Sequence, residues 1–140
     1  MIVFLDASAL IYLIEGAQPF AARVRSELAG TLKRHPDLSP AVSRLSWLEC
    51  RVQPVCDKKL TVLADYDAFF SRPDLLWVEL SREVVEAATA IRAKHGLRTP
   101  DALQAASCIQ LAAQRGSSHL FFTGDTGFKK VIGLRTRLVS

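Results

Sequence analysis

Short apolar runs alternate with helical stripes along this chain. Ile2–Leu5 is a run of four apolar residues, the length and character of a buried strand. Asp6 follows at once, and Leu10, Ile11, Leu13 and Ile14 then recur at helical spacing until Gly16 supplies a stop. A second helix opens at Gln18-Pro19, with Phe20, Val24, Leu28 and Leu32 on one side, and Pro36 closes it. Leu38–Val42 predicts a strand, which Pro40 demotes toward an edge or a bulge. Ser43 is placed to cap a helix from about Arg44 to Pro54, with Leu45, Leu48 and Val52 as its inward stripe. Asp57–Ser71 predicts another helix, with Leu60, Leu63, Tyr66 and Phe70 along one face. Leu75–Leu80 predicts a third strand. Ser81 begins a helix that turns Val84, Ala88 and Ile91 inward and stops at His95-Gly96. Thr99-Pro100-Asp101 combines a capping hydroxyl, a first-turn proline and an acid, so a helix is expected through Arg115. That helix is apolar on several sides and should pack centrally. His119–Thr123 predicts a buried strand, Gly124-Asp125 turns out of it, a short helix spans Thr126–Val131, and Leu138-Val139 adds an edge strand.

Strands alternating with helices predict an α/β fold with a central parallel sheet of four to five short strands, covered on both faces. No linker or internal repeat interrupts the chain, so residues 1–140 are expected to form one domain. Right-handed crossovers place all strand C-terminal ends along one edge. Asp6 and Asp125 each follow a strand, Asp101 begins a helix, and Glu49 sits in the first turns of one. Each acid has a bland explanation. Asp6, Ser8 or Asp125 can cap a helix, Asp101 can favour a helix dipole, and Glu49 can reach water from the rim of its stripe. Together, however, the four converge on one edge.

Composition narrows the partners. The 140 residues are 49% hydrophobic and 23% charged, as in an ordinary soluble domain, and the formal charge of +4 suits a polyanion without requiring one. Cys50, Cys56 and Cys108 show no paired spacing, and His35, His95 and His119 are scattered. A disulfide framework and a zinc site are therefore not expected, and a reduced cytoplasmic setting fits. The N-terminal apolar run lacks a basic flank, and no stretch is long enough to span a membrane.

Clustered carboxylates repel unless a cation sits among them. With no Cys or His in the set, magnesium or manganese fits better than zinc. Such an ion binds phosphate oxygens and activates water, which implies phosphodiester hydrolysis. Ser8 and Thr123 carry hydroxyls suited to orienting a water or a phosphate. Arg98, Lys129 and Lys130 flank the acids and are the favoured cations for a nucleic-acid strand.

Four segments carry a resemblance. Asp6-Ala-Ser-Ala-Leu-Ile-Tyr-Leu, Glu49 after the second strand, Pro100-Asp101-Ala-Leu-Gln-Ala-Ala, and Thr123-Gly-Asp125-Thr-Gly-Phe resemble the motifs of PIN-domain ribonucleases, specifically VapC-type toxins of toxin–antitoxin pairs. The likeness covers essentially the whole chain. It is specific in the first, third and fourth motifs and looser at Glu49. Gly124 stands where the family often has asparagine. The resemblance implies a three-layer α/β/α sandwich, a Mg²⁺-dependent endoribonuclease, a homodimer and a cognate antitoxin partner. It also implies catalytic Asp6, Glu49, Asp101 and Asp125, with Asp6, Asp101 and Asp125 as metal ligands. The RNA target does not transfer. Two other readings compete. A phosphoacceptor domain would need an aspartate ending the third strand and a lysine ending a later one, and these are missing. A catalytically silent RNA- or protein-binding module would use the same acids only to receive a partner's cations.

Overall fold

The protein's structure, a computed structural model, describes residues 1–140. Strands β1 (Ile2–Leu5), β2 (Ser39–Ser43), β3 (Leu76–Val78), β4 (His119–Thr123) and β5 (Thr136–Leu138) form one sheet in the order β3-β2-β1-β4-β5. Every neighbouring pair is parallel. The chain steps from β1 outward to β3, then returns to the other side of β1 for β4. The strand order therefore reverses between β1 and β4, and a crevice outside their C-terminal ends is where such sheets bind ligands.

Six helices cover the sheet: α1 (Ala7–Glu15), α2 (Phe20–Arg34), α3 (Arg44–Cys56), α4 (Leu60–Phe70), α5 (Arg82–His95) and α6 (Thr99–Arg115). Alternation along β1 divides the core. Ile2 and Phe4 pack with α5 and α6 through Val84, Ala88, Ala102 and Ala105. Val3 and Leu5 pack with α1 to α4 through Leu10, Val24, Cys50 and Tyr66. The result is the three-layer sandwich expected, with five strands. No helix is long and apolar enough to cross a membrane.

Local chemistry sets the element ends. Gly16 and Gly96 end α1 and α5 in the left-handed conformation, at φ 78° and 68°, which glycine adopts without a side-chain clash. Ser43 and Ser81 cap α3 and α5, accepting from the Leu45 and Val84 amides. At α6 the expected cap is displaced by one residue: Thr99 is already helical, and Arg98 holds the N-cap position without a side-chain bond.

Four expectations are corrected. Pro40 lies inside β2, an interior strand, in register with Val3. Ser39 N–H donates to Met1 O on the β1 side, so the alternation turns the Pro40 nitrogen toward β3, whose pairing begins only at Ala41. No ladder bond is lost. On α2, Leu32 is exposed, and Ala21, Val24 and Thr31 face the core, because a strict spacing of four drifts around a helix with 3.6 residues per turn. On α3 the inward residues are Ser46, Cys50 and Pro54, whereas Leu48 and Val52 are 60% and 51% exposed. Finally, α4 begins at Leu60 instead of Asp57, after Lys58 adopts φ 53°, and Leu60 is exposed.

The revised faces make a measurable distinction. Leu48→Gln is expected to shift unfolding free energy by less than about 0.5 kcal/mol, as for an exposed position. Val24→Ala is expected to cost about 2 kcal/mol, from a lost core side chain and its cavity. Urea unfolding of both variants checks this.

Candidate active site

Asp6 ends the central strand and is only 4% exposed. Its Oδ1 accepts from Ser8 Oγ at 2.7 Å and from the Ala9 amide at 2.9 Å, so it does cap α1. Its Oδ2 accepts from Thr123 Oγ1 at the end of β4, 117 residues away in sequence. The capping and functional readings of Asp6 are thus not exclusive. Burial pushes its pKa up to about 6, against three hydrogen bonds that favour the charged form, and the nearby Asp101 charge adds to the rise.

The other hydroxyls extend this clasp. Ser8 Oγ accepts from the Gly124 amide at 2.9 Å, and Thr123 Oγ1 accepts from the Asp125 amide at 3.0 Å. The loop leaving β4 is therefore tied to the start of α1. Gly124 lies directly under the Tyr12 ring, where a Cβ would approach Cε2 to 2.6 Å and the hydroxyl to 2.7 Å. Tyr12 itself is stacked on Phe20 with ring centroids 4.7 Å apart. An asparagine at 124 would have to displace that stack, which accounts for glycine there.

Glu49 is half-buried on α3. Its Oε1 accepts from Gln104 Nε2 on α6 at 2.9 Å. Burial raises its pKa, the Gln104 bond opposes the rise, the Asp101 charge adds to it, and Arg98 opposes it. The partner of this half-buried acid is thus a neutral amide. Asp101, in the first turn of α6, pairs with Arg98 Nε at 3.4 Å. Arg98 is 82% exposed, so this contact is weak and easily exchanged.

Asp6, Glu49 and Asp101 therefore share one electrostatic neighbourhood. Asp125 stands apart: its Oδ1 accepts from the Gly127 amide at 2.7 Å and caps the 3₁₀ turn Thr126–Lys130. It reaches Asp6 only through its backbone and Thr123. No three His, Cys, Asp or Glu side chains are gathered closely enough to hold one ion as they stand. Lys129 and Lys130 are exposed in the turn after Asp125. His119 has a structural role, with Nε2 accepting from the Arg135 amide at 3.0 Å, and the three cysteines are free.

Gln104 and Ser46 were not singled out by sequence. For Gln104 the signal was present, since it interrupts a run of small apolar neighbours on α6; for Ser46 it was not, since the apolar stripe of α3 points elsewhere.

Asp6 generates a pH prediction. Its folded pKa of about 6 lies above the 3.8 of a freely solvated aspartate, so the folded state binds more protons between those values. Its contribution to stability is therefore full below pH 4 and is lost as pH rises through about 6. Asp6→Asn should raise stability at pH 7.5 by about 1–3 kcal/mol, since the neutral amide carries no buried charge. That gain should vanish near pH 4, as read by thermal unfolding at both pH values in EDTA.

A PIN-domain family model matches residues 3–134. The solved structures similar to this chain include VapBC2 from Rickettsia felis, bound to a DNA fragment from their promoter. That match has a TM-score of 0.75 and 19% identity and covers 99% of this chain and 98% of the other. DNA-bound VapBC from Salmonella typhimurium matches with a TM-score of 0.70 and 18% identity, over 100% and 99%. Mycobacterium tuberculosis VapC20, a sarcin-ricin-loop-cleaving toxin, matches with a TM-score of 0.63 and 14% identity, over 95% and 98%. No curated protein sequence matches the chain.

Proposed function

The chain belongs to the PIN-domain family, and from that premise we propose that it is a metal-dependent endoribonuclease, the toxin of a toxin–antitoxin pair. One observation carries the reading: a buried carboxylate at the sheet's switch point shares its surroundings with two further acids, and no lysine or arginine reaches it. Ionised Asp6 is costly there without a positive partner.

The donor set suits a hard divalent cation, because it offers carboxylate and hydroxyl oxygens and neither sulfur nor imidazole. Asp6 and Asp101 are the residues that would hold it; Asp125, tied to the Gly127 amide, would join them only by leaving that bond. An ion that keeps several of its waters, as Mg²⁺ does and Mn²⁺ can, needs only one or two carboxylates from the protein. Such an ion supplies Lewis acidity toward a phosphate oxygen and lowers the pKa of an attacking water. The chain's own groups do the rest. Asp6 is oriented by Ser8 and Thr123, whose hydroxyls also tie the β4 loop in place. Glu49 offers a carboxylate that can orient a water or take its proton. Arg98, Lys129 and Lys130 are exposed cations beside the acids and can hold the RNA backbone.

The partners are inferred with the function. A cognate antitoxin is supported by the VapBC complexes among the similar structures. Trp47, Leu48, Val52 and Val55 also leave an apolar face open on α3, the kind of surface that a protein partner covers. A homodimer and a reduced cytoplasmic location complete the proposal.

The test is cleavage of total RNA by the purified protein with Mg²⁺. Cleavage is expected to stop in EDTA and return with Mg²⁺ or Mn²⁺. Asp6→Asn and Asp101→Asn should each lower the rate more than about 100-fold while remaining folded. Cleavage that survives EDTA, or is unchanged by Asp6→Asn, sinks the mechanism. Binding of RNA without cleavage under all these conditions would favour the silent-module reading.

A further inference from the structure

We infer that Gln104 is a positioning residue that fixes the Glu49 carboxylate relative to Asp101; this rests on the nuclease reading above. Gln104 lies on α6, three residues after Asp101, so the two side chains occupy neighbouring turns of one helix. It is 2% exposed, and both amide hydrogens are spent on α3. Nε2 donates to Glu49 Oε1 at 2.9 Å and to Ser46 Oγ at 3.0 Å. Ser46 is fully buried and one turn before Glu49, so it anchors the same arm on the helix that carries the acid.

The other end of the amide is telling. Gln104 Oε1 is the one buried side-chain oxygen or nitrogen without a hydrogen-bond partner. An orphaned buried carbonyl costs stability, and a leucine or methionine would avoid it only by leaving the buried Ser46 hydroxyl unpartnered instead. Packing does not explain the residue, so its value lies in what the N–H groups hold. They hold one oxygen of Glu49 and leave Oε2 for solvent or a ligand. α3 and α6 belong to opposite layers of the sandwich, and their relative slide would otherwise move Glu49 against Asp101. The Gln104 amide restrains that slide at the acids themselves.

Gln104→Met keeps the length and removes both donors. The expected result is a fall in kcat of about 10- to 100-fold with KM for RNA little changed. In a Glu49→Gln background the same change should cost less than about 2-fold further, because the group it positions is already disabled. A purely structural role would instead make the two losses multiply, and that result overturns the inference. A second readout needs no cleavage. The Gln104 side-chain amide signals in a ¹H–¹⁵N spectrum should exchange slowly with water and shift in Glu49→Gln; unchanged signals would also overturn it. Should Gln104→Met fail to fold, Ser46→Ala removes only one anchor. Its smaller loss of kcat should likewise disappear in the Glu49→Gln background, and a loss that persists there overturns the inference. A wild-type protein that cleaves no RNA with Mg²⁺ or Mn²⁺ overturns the nuclease reading, while the amide signals still decide whether Gln104 holds Glu49.

Discussion

A carboxylate closed off from water at the end of the central strand constrains everything around it. Asp6 has no cationic partner and depends on two hydroxyls and one amide hydrogen. Those donors come from α1 and from the last residue of β4, so the charge is tolerable only where both elements meet. The parallel pairing of β1 with β4 brings Thr123 to Asp6, and the burial of both strands removes the water that would otherwise solvate it. The same burial makes the acid expensive to ionise.

Each of the four acids is held differently. Hydroxyls hold Asp6, an amide holds Glu49, one exposed guanidinium holds Asp101, and a backbone N–H holds Asp125. Only one of these partners is charged, and it is the most solvent-exposed. The site is thus built from neutral donors that orient carboxylates without cancelling them. A phosphate-bearing ligand accompanied by a divalent ion would meet acids already aimed, and Arg98 alone would need to move from a favourable contact.

The elements that the sequence revealed best are those with two agreeing signals. β1 and β4 combine short apolar runs with an acid at the exit, and α5 has both a serine cap and a terminal glycine. The weaker readings failed where one signal stood alone. On α3 the apolar stripe of Leu45, Leu48 and Val52 suggested the inward side, but the helix buries Ser46, Cys50 and Pro54, with Cys50 in the apolar core and Ser46 and Glu49 meeting Gln104 of α6. Leu48 and Val52 are left on the surface. Pro40 misled for another reason: backbone direction at one residue decides whether its missing N–H matters, and composition does not report direction. The meeting of Asp6, Glu49 and Asp101 was legible from topology. The distinct engagement of Asp125 was not, since the acid that follows a strand is equally placed to cap the turn after it.

The link between Asp6 and Thr123 spans 117 positions of sequence. During synthesis, the opening strand must wait for nearly the entire chain before its eventual neighbour exists. Until then β1 has an unpaired edge, and Asp6 lacks one of its three donors. The clasp around Asp6 is therefore complete only once β4 has paired with β1. For the nuclease proposed above, assembly of the site would be among the last events of folding.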